Sequence, residues 1–240
     1  MVVQSPRVLL LDIETSPNLG YFWRLFDENI AIEQIVKPSR TICWGAKWLG
    51  EREFLYADER GGKKKMFRAV HKLLSECDGV IHFNGDHFDL PKLNGEFVLH
   101  RIPPVPPLTS LDLCKTVKGL GYASGKLAFV APYLKIGEKI KHGGFPLWRG
   151  CMEGDKGCWS RMETYNKGDV TLLDPFYMLL RPYMKSHPRL YDAGCPRCGC
   201  EKTKGPIRYR KTAVYRFPLY QCASCKGWYQ GKRQSLRLAA

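Results

Sequence analysis

The sequence predicts an α/β protein in which a mixed sheet is flanked by helices and followed by a small C-terminal module held together by zinc. Three observations lead to this prediction. Short apolar runs without a helical period, which are typical of buried strands, lie in the first half of the chain. Helical patterns then alternate with further strands, as they do in layered α/β proteins. Two pairs of closely spaced cysteines lie in the last fifth of the chain, and such pairs are a strong zinc signal.

Three strands are predicted in the N-terminal part of the chain. Residues 7–13 form an apolar run, and two further strands are expected over residues 41–48 and 53–57. A turn at residues 50–52 joins the last two strands as an antiparallel hairpin. Residues 18–40 are irregular and rich in aromatic side chains, and we expect them to form an insertion or a short helix.

The chain beyond this hairpin alternates between helical and strand patterns. Residues 63–77 have an apolar helical face and form the first predicted helix. Further strands are expected over residues 79–83 and 108–113, and further helices over residues 89–99, 126–134 and 159–180. The last helix should end before Pro182, because proline is poorly tolerated inside a helix.

Composition limits the classes to which the protein can belong. Its 240 residues are 44% hydrophobic, which is enough for a core and excludes general disorder. No apolar run approaches the ~18 residues that a membrane-spanning helix needs, and no signal peptide is visible. We therefore expect a soluble cytoplasmic protein without a membrane partner, located in the host cytoplasm if a phage encodes it. In a reducing compartment, clustered cysteines are metal ligands more often than disulfides.

Positive charge is concentrated near the C-terminus. The net charge is +15, and residues 188–240 contain 12 Lys and Arg against 2 Asp and Glu. Such a balance favours a polyanionic partner, with nucleic acid as the first candidate and an anionic membrane surface as the second. A linker at residues 182–194 separates the two expected domains, which are an α/β domain over residues 1–187 and a basic module over residues 188–240.

Two carboxylates end the first predicted strand. Asp12 and Glu14 are two residues apart, so both point to the same face of the strand at its C-terminal end, where α/β proteins place ligand sites. Adjacent carboxylates repel each other unless a cation neutralises them, and oxygen ligands suit Mg²⁺ or Mn²⁺. The alternative is a pair of solvated acids at the end of a strand.

Two later segments contribute further candidates. A turn at Asn84 follows a predicted strand, and a helix is expected to begin near Asp89. Taken alone, Asp89 is better explained as an N-cap, and Asp86 as a turn residue. Tyr165 and Asp169 share one face of the last predicted helix, a pattern that taken alone is more typical of a surface pair.

Together, the three segments resemble a known family. The order Asp-x-Glu after an apolar strand, Asn-x-x-x-Phe-Asp after a later strand and Tyr-x-x-x-Asp on a late helix is similar to that of the DnaQ-like, or DEDD, 3′-to-5′ exonucleases. The tyrosine in the last motif resembles the DEDDy branch, which includes the proofreading domains of family B DNA polymerases. The resemblance covers about residues 7–181 and is closest to the stand-alone enzymes of phages and bacteria. It implies an RNase H-like fold.

Shorter motifs add to the resemblance. Ser110-Leu-Asp-Leu113 looks like the family's His-x-Asp-Leu strand, with Ser110 in place of the histidine. Lys126-Leu127 and Leu134-Lys-Ile-Gly-Glu-Lys139 look like the family's Lys-Leu … Leu-Gly-x-x-x-Lys helix. The resemblance therefore implies helical structure in the segment that ends at Lys139.

The resemblance also implies a role for each acid. Asp12 would bridge two divalent ions, Mg²⁺ or Mn²⁺, and Glu14 and Asp169 would complete the shell of the first ion. Asp89 would help to hold the second ion. Tyr165 would orient the attacking water and stabilise it by a hydrogen bond.

Neighbours of these acids are the expected contacts of the terminal nucleotide. Thr15 lies at the end of the first strand, and Asn84 and Phe88 lie beside Asp89. Asp86 is the closest competitor of Asp89, but only Asp89 follows the phenylalanine of the family motif.

The aromatic stretch from Tyr21 to Phe26 has two interpretations. Its rings can stack on unpaired bases of a nucleic acid. They can equally pack against the central sheet.

The cysteine pairs predict one structural zinc ion. Cys195 and Cys198 form the first C-x-x-C pair, and Cys222 and Cys225 form the second. Four thiolates close a tetrahedral site, and metal binding supplies stability that so short a module lacks. The glycines that follow the pairs resemble those of a zinc ribbon. Cys200 is an alternative ligand in place of Cys198.

Basic and aromatic side chains alternate between the cysteine pairs. Arg208, Arg210 and Lys211 lie close to Tyr209 and Phe217. This alternation suits phosphate contacts and base stacking, so we expect the module to bind nucleic acid. The alternatives are a structural ribbon with a solvated basic face and a ribbon that docks a protein.

The sequence therefore predicts a two-metal 3′-to-5′ exonuclease, a hydrolase of phosphodiester bonds whose basic zinc module holds the substrate. DNA that is single-stranded or has a free 3′ end is the favoured substrate, and RNA is the second candidate. Replication and repair proteins are candidate partners. Two other functions are alternatives: a non-catalytic nucleic-acid-binding accessory protein of replication or repair, and a structure-specific endonuclease on the same fold.

Overall fold

Eleven strands and six α-helices form the part of the chain that the computed structural model describes, which is residues 6–185, 187–191 and 193–235. The strands are β1 (Val8–Thr15), β2 (Leu19–Gly20), β3 (Ile35–Lys37), β4 (Thr41–Trp48), β5 (Phe54–Asp58), β6 (Gly79–His82), β7 (Thr109–Asp112), β8 (Thr203–Lys211), β9 (Tyr215–Cys222), β10 (Trp228–Gln230) and β11 (Gln234–Ser235). The helices are α1 (Lys63–Glu76), α2 (Asp89–Leu99), α3 (Leu113–Lys118), α4 (Leu127–Tyr133), α5 (Phe145–Met152) and α6 (Lys156–Leu180). None of the helices in this described part is long and apolar enough to cross a membrane.

The ends of the two expected domains, residues 1–5 and 236–240, lie outside the described residues. Ser186 and Asp192 in the expected linker lie outside them as well.

The central sheet is mixed, as predicted. Its strand order is β5-β4-β1-β6-β7. Strand β4 runs antiparallel to both β1 and β5, which confirms the predicted hairpin. Strand β6 runs parallel to both β1 and β7. Strand β1 therefore lies at the centre, with a paired neighbour along each edge.

Strand β1 is buried on both faces of the sheet, which explains its continuous apolar run. Val8 and Leu10 belong to the hydrophobic cluster that includes residues of α3, α4 and α6. Leu9 and Leu11 belong to a second cluster, which includes residues of α1 and α2 on the opposite face. Because side chains alternate along a strand, the two acids at the end of β1 continue the face that α6 covers.

Helix α6 packs across β1 and β4. It begins at Lys156, three residues before the predicted start, because the Asp155 side chain accepts a hydrogen bond from the backbone N–H of Cys158 at 2.6 Å. This cap extends the helix beyond the apolar pattern from which the start was predicted. The helix ends at Leu180, as the position of Pro182 predicts.

Two helices are absent from the sequence prediction, and one expected helical segment is not helical. Helices α3 and α5 are only 6 and 8 residues long, too short to show a clear periodicity. Helix α4 confirms the helix predicted over residues 126–134, but the helical structure implied for residues 134–139 is wrong. Lys135 and Gly137 have φ angles of 56° and 155°, and left-handed residues of this kind end a helix.

The segment between β1 and β4 forms an arm outside the central sheet. Strands β2 and β3 pair antiparallel, and a short 3₁₀ turn at Ile32–Gln34 precedes β3. The aromatic stretch between these strands is exposed, with 79% exposure at Tyr21 and 93% at Trp23. The interpretation that this stretch packs against the central sheet is therefore wrong. Stacking on bases stays a prediction.

The C-terminal module contains the basic and aromatic strands that the sequence predicts. Strand β9 is its central strand and pairs antiparallel with β8, β10 and β11. Strand β8 is exposed along almost its whole length. A surface of side chains from β8 and β9 is therefore open to solvent.

Truncation of a β1 side chain should test the position of this strand in the core. Leu10 is fully buried, so Leu10→Ala should lower the free energy of unfolding by about 2–5 kcal/mol. Leu25→Ala is the matched control, because Leu25 is 80% exposed and its loss should change stability by less than about 0.5 kcal/mol. Denaturant unfolding measures both values. Equal effects of the two substitutions would contradict the burial of Leu10 in the core.

Candidate functional site

Helix α6 has polar side chains in the middle of its buried face. Met162 and Phe176 are fully buried at either end of this face. Between them lie Tyr165, Asn166 and Asp169, each at most 4% exposed. Polar groups are rarely buried in a core without partners. Their partners come from the end of β1, which this part of α6 covers.

Three carboxylates meet where β1 passes under α6. Asp12, Glu14 and Asp169 each place one oxygen within 4.8 Å of the others. Asp89, the first residue of α2, is buried beside them, and its Oδ1 accepts a hydrogen bond from the backbone N–H of Ile13 at 3.0 Å. All four acids that the family motifs select therefore lie around the end of one strand. We name them the acid cluster.

The acid cluster is electrostatically unfavourable without a cation. Burial and then the charges of Asp89, Glu14 and Asp169 raise the pKa of Asp12 well above its usual value. Burial, with the charge of Asp169, raises the pKa of Glu14 to about 8. Burial raises the pKa of Asp89 to about 7. Each shift reflects a cost of negative charge in this place, a cost that a bound cation would offset.

A lysine offsets only part of this charge. The Lys139 Nζ lies 2.9 Å from Asp169 Oδ2 and 5.0 Å from the centre of the Tyr165 ring. Burial still raises the pKa of Asp169, although Lys139 opposes the shift. The second oxygen, Asp169 Oδ1, is buried and has no hydrogen-bond partner among the described residues. An unpaired buried carboxylate oxygen suits a site that binds a cation.

Asn166 is a site residue that the sequence analysis missed. Its Nδ2 donates to Asp12 Oδ2 at 2.7 Å and lies 3.3 Å from the Asp12 backbone oxygen. Gly45 of β4 makes room for it, because a Cβ at this position would lie 2.0 Å from Asn166 Oδ1. Asn166 therefore fixes the orientation of the Asp12 carboxylate. The signal in the sequence was its place on α6, three residues before Asp169 and one after Tyr165.

Aromatic rings enclose Tyr165. The rings of His142 and Trp148 lie 4.9 and 5.9 Å from the Tyr165 ring, centroid to centroid, and both are strongly tilted against it. Burial and the charge of Asp169 raise the pKa of Tyr165, so its hydroxyl stays protonated near neutral pH. A side-chain hydrogen bond from Trp148 opposes the rise in the pKa of Glu14. Tyr165 is thus a neutral hydrogen-bond donor at the edge of the acid cluster.

Asp86 lies in a different network from Asp89. Its Oδ2 accepts from Lys115 Nζ at 2.5 Å, and its Oδ1 accepts from the Ser110 hydroxyl. Burial alone would raise the pKa of Asp86, but the hydrogen bonds from Lys115 and Ser110 outweigh it and lower this pKa. Asp86 therefore has its own counter-ion, whereas Asp89 faces Asp12.

The same network fixes the turn that leads into α2. His82 is fully buried, accepts from the Gly85 N–H at Nδ1 over 2.9 Å and has Nε2 2.8 Å from Ser110 Oγ. The backbone N–H of Asn84, which has a φ of 68°, donates to Asp112 Oδ1 at 2.8 Å. His82 contacts Ser110, the residue that replaces the histidine of the resembled family. The sequence analysis did not assign this role to His82 or Asp112.

The predicted substrate contacts fall into two groups. Thr15, next to Glu14 in β1, and Asn84 are half-buried, and Phe88, which precedes Asp89, is 38% exposed. Arg208 and Arg210 lie on β8, in the sheet of the C-terminal module rather than in the central sheet. Lys211 ends the same strand. Both groups are accessible, but they belong to different sheets.

Four of the five cysteines in the C-terminal module converge. Cys195, Cys198, Cys222 and Cys225 place their sulfur atoms within 4.8 Å of one another. The Cys195–Cys225 and Cys198–Cys222 sulfur distances are 3.8 and 3.6 Å. Tetrahedral zinc with Zn–S bonds of about 2.3 Å requires sulfur separations of about 3.8 Å, so this donor set fits zinc. The Cys200 thiol lies outside the group and faces the Lys202 carbonyl at 3.6 Å.

Arg197 connects this cysteine group to the end of α6. It lies inside the first cysteine pair and is only 9% exposed. Its Nη1 donates to the carbonyls of Arg181 and Pro182 at 2.8 and 2.6 Å, and its Nη2 donates to that of Met184 at 3.0 Å. These carbonyls follow the last turn of α6. The module is thus joined to the central domain through a buried guanidinium group.

Comparisons with known proteins agree with this fold. Residues 42–181 match a model of the RNase H superfamily, and because this is more than half of the chain, the protein belongs to that superfamily. Among solved structures, a family B DNA polymerase from the hyperthermophilic archaeon Pyrobaculum calidifontis is similar, with a TM-score of 0.53 and 17% sequence identity. The match covers 74% of this chain and 25% of the polymerase chain. A comparison with curated proteins found no match.

The superfamily confirms the RNase H-like fold that the motifs imply. This chain spans only a quarter of the length of the polymerase, and at 17% identity the similarity shows the shared fold alone. An RNase H-like fold with clustered acids at the end of its central strand supports a nuclease-type function.

Substitution of two glycines by alanine tests the packing of the turn before α2. A Cβ at Gly85 would lie 2.5 Å from His82 Cγ, so Gly85→Ala should lower the free energy of unfolding by about 1–3 kcal/mol. Gly95 lies on the exposed side of α2 with nothing within 4 Å of a Cβ, so Gly95→Ala should raise it by up to about 1 kcal/mol. Thermal unfolding measures the two shifts. A stabilised Gly85→Ala variant would contradict the tight contact with His82.

Proposed function

We propose that this protein is a metal-dependent 3′-to-5′ exonuclease that hydrolyses phosphodiester bonds at the 3′ end of nucleic acid, with DNA as the favoured substrate. The observation that carries the proposal is the convergence of Asp12, Glu14, Asp89 and Asp169 beside the buried Tyr165. These residues come from β1, α2 and α6, which are separated from one another by more than 50 residues along the chain.

The donor set of the acid cluster fits two divalent ions. Asp12, Glu14 and Asp169 would hold the first ion, and Asp12 and Asp89 the second. Carboxylate oxygens suit Mg²⁺ or Mn²⁺. When bound, such a pair lowers the pKa of the attacking water and neutralises charge on the leaving oxygen.

The protein's own residues prepare the site for this chemistry. Asn166 holds the Asp12 carboxylate in one orientation, and Lys139 neutralises part of the charge on Asp169. Tyr165, which stays protonated, donates a hydrogen bond that orients the attacking water. The turn held by His82 sets the position of Asp89 at the start of α2.

The 3′-to-5′ direction is supported by the motifs. Their order and the tyrosine at position 165 resemble the DEDDy branch, which includes proofreading domains of family B DNA polymerases. The separate structural similarity to a family B DNA polymerase agrees with this resemblance. Thr15 and Phe88 adjoin Glu14 and Asp89 in the chain, and together with Asn84 they would contact the terminal nucleotide.

The C-terminal module would hold the substrate. We propose that residues 1–187 form the exonuclease domain and residues 188–240 form a zinc ribbon that binds nucleic acid. One zinc ion would be held by Cys195, Cys198, Cys222 and Cys225. The excess of Lys and Arg in this module supplies the charge that attracts a phosphate backbone.

Two matched pairs of acids test the catalytic assignment. Asp169→Asn and Asp89→Asn should lower the rate of 3′-end release more than about 100-fold, since even outer partners of metal ligands are worth about 10- to 100-fold. Asp174→Asn, on the same helix as Asp169, removes only an ion pair with Lys47 and should change the rate less than about threefold. Asp86→Asn should reduce the rate far less than Asp89→Asn. The measurement is release of nucleotides from a labelled single strand with Mg²⁺ or Mn²⁺.

The same assay separates the alternative functions. Full activity in the Asp89→Asn variant with loss in Asp86→Asn would reverse the choice between these two acids. Cleavage of a circular single strand would indicate an endonuclease. A protein that binds the strand without releasing nucleotides would be a non-catalytic accessory protein.

Zinc binding can be tested with two cysteines of the same module. Cys225→Ser should remove about one zinc ion per chain and lower the unfolding temperature of the module, because metal binding supplies much of the stability of so small a unit. Cys200→Ser should retain the zinc and the stability, because this thiol faces a carbonyl outside the cluster. Elemental analysis and thermal unfolding measure the two effects. If Cys200→Ser were the variant that lost the zinc, we would infer that Cys200 rather than Cys198 is the ligand.

A further inference from the structure

The two faces of the C-terminal sheet differ in chemistry. Residues directly opposite each other on paired strands share a face, and Arg208 and Arg210 of β8 lie opposite Leu219 and Phe217 of β9. We name this side the Arg–aromatic face. It is formed by Arg208, Arg210, Tyr215, Phe217, Trp228 and Arg233.

Each arginine of the Arg–aromatic face lies over an aromatic ring of the same face. The guanidinium carbon of Arg208 is 5.3 Å from the centre of the Trp228 ring. Arg210 lies 5.0 Å from the Phe217 ring. Arg233 lies 4.9 Å from the Tyr215 ring. Three cation–π pairs therefore lie side by side on one surface.

The opposite face is partly occupied by the cysteine group. Cys222 and Pro218 are buried on this face, and Tyr229 packs against the cysteines. Arg216 and Lys211 extend from the far end of the same face, where Arg216 lies over the Tyr209 ring and donates to Gln234 Oε1. The first face is thus the one with a continuous open surface, while the second face encloses the metal ligands.

The chemistry of the Arg–aromatic face fits a single-stranded nucleic acid. An arginine stacked on a ring presents a flat cation on which an unpaired base can stack, and its N–H groups can bind phosphate oxygens. Bases in a duplex have no free face for such stacking. The charge is complementary to a polyanion, because residues 193–235 contain one acid, Glu201, among many basic residues. An acidic protein would satisfy the charge but would leave the ring and guanidinium planes without a stacking partner.

We propose that the Arg–aromatic face binds single-stranded nucleic acid and that the opposite face does not, so that Lys211, a predicted contact that lies on the opposite face, is not part of the binding surface. The proposal rests on the proposed function of the module as the part that holds the substrate. It adds which face makes the contact and which form of the strand is bound.

Two charge-matched double variants test the proposal. Arg208→Ala with Arg210→Ala removes two charges from the Arg–aromatic face, and Lys211→Ala with Arg216→Ala removes two from the opposite face. Both are made in the full chain with Asp12→Asn, so that the strand stays intact. Zinc content and thermal unfolding establish that each variant keeps its fold. Binding of a fluorescent thymidine oligonucleotide is measured by anisotropy at several salt concentrations.

We expect the first variant to bind at least about 10-fold more weakly and to lower the salt slope by about 1.4, which is two contacts at about 0.7 each. The second variant should weaken binding by less than about threefold. Trp228→Ala, which removes no charge, should still weaken binding about fivefold or more through lost stacking. A duplex of the same length should bind the parent protein more weakly than the single strand.

Equal losses in the two double variants would overturn the choice of face, and tighter binding of the duplex would overturn the choice of strand form. Unchanged binding in the first variant would also overturn the proposal, leaving a surface for an acidic protein. These outcomes are distinct from failure of the proposed enzyme. A parent protein that binds through Arg208 and Arg210 without releasing nucleotides would refute the exonuclease and keep the binding face. Nucleotide release by the parent protein, together with unchanged binding in the Arg208→Ala, Arg210→Ala variant, would support the exonuclease and refute the binding face.

Discussion

The carboxylates of Asp12, Glu14, Asp89 and Asp169 repel one another at the end of β1, where Asp89 and Asp169 are buried and Asp12 and Glu14 are half-buried. This arrangement does not stabilise the fold, because the raised pKa values of these acids indicate that negative charge is unfavourable in this place. Cations bound between the four carboxylates would offset their repulsion. The remaining features of the central domain can be understood as the means by which β1, α2 and α6 keep these acids together.

Three of the four acids are held by a backbone or side-chain group that does not itself carry negative charge. Asn166 donates to Asp12, and the backbone N–H of Ile13 donates to Asp89. Lys139 pairs with Asp169 from a loop that follows α4. Asn166 and Ile13 are buried in the same stripe of α6 and the same strand that form the core. Helix α6 therefore contributes both to the packing of the core and to the orientation of the acids, and a substitution on its buried face is expected to affect both.

The sequence predicted those features that depend on local periodicity. The two-residue period of β1 places Asp12 and Glu14 together, and the helical period places Tyr165 beside Asp169. Asn166 was missed because its partner lies 154 residues away, and no local pattern reports such a contact. The network around His82 was missed because it joins this turn to Ser110, which lies on another strand. The error at residues 134–139 has a different origin, because a short motif carries no information about the positive φ angle of Lys135.

Helix α6 connects the two sites of the protein. Its middle carries Asp169, and the carbonyls after its last turn accept hydrogen bonds from Arg197 of the first cysteine pair. Burial lowers the pKa of Arg197, while the neighbouring thiols of Cys225 and Cys195 oppose the shift. A buried guanidinium is stable only if its charge is compensated, and the negative end of the helix compensates part of it. Thiolates that hold a zinc ion would supply the rest, so the proposed metal binding in the module would favour the contact that fixes the module to the helix of the acid cluster.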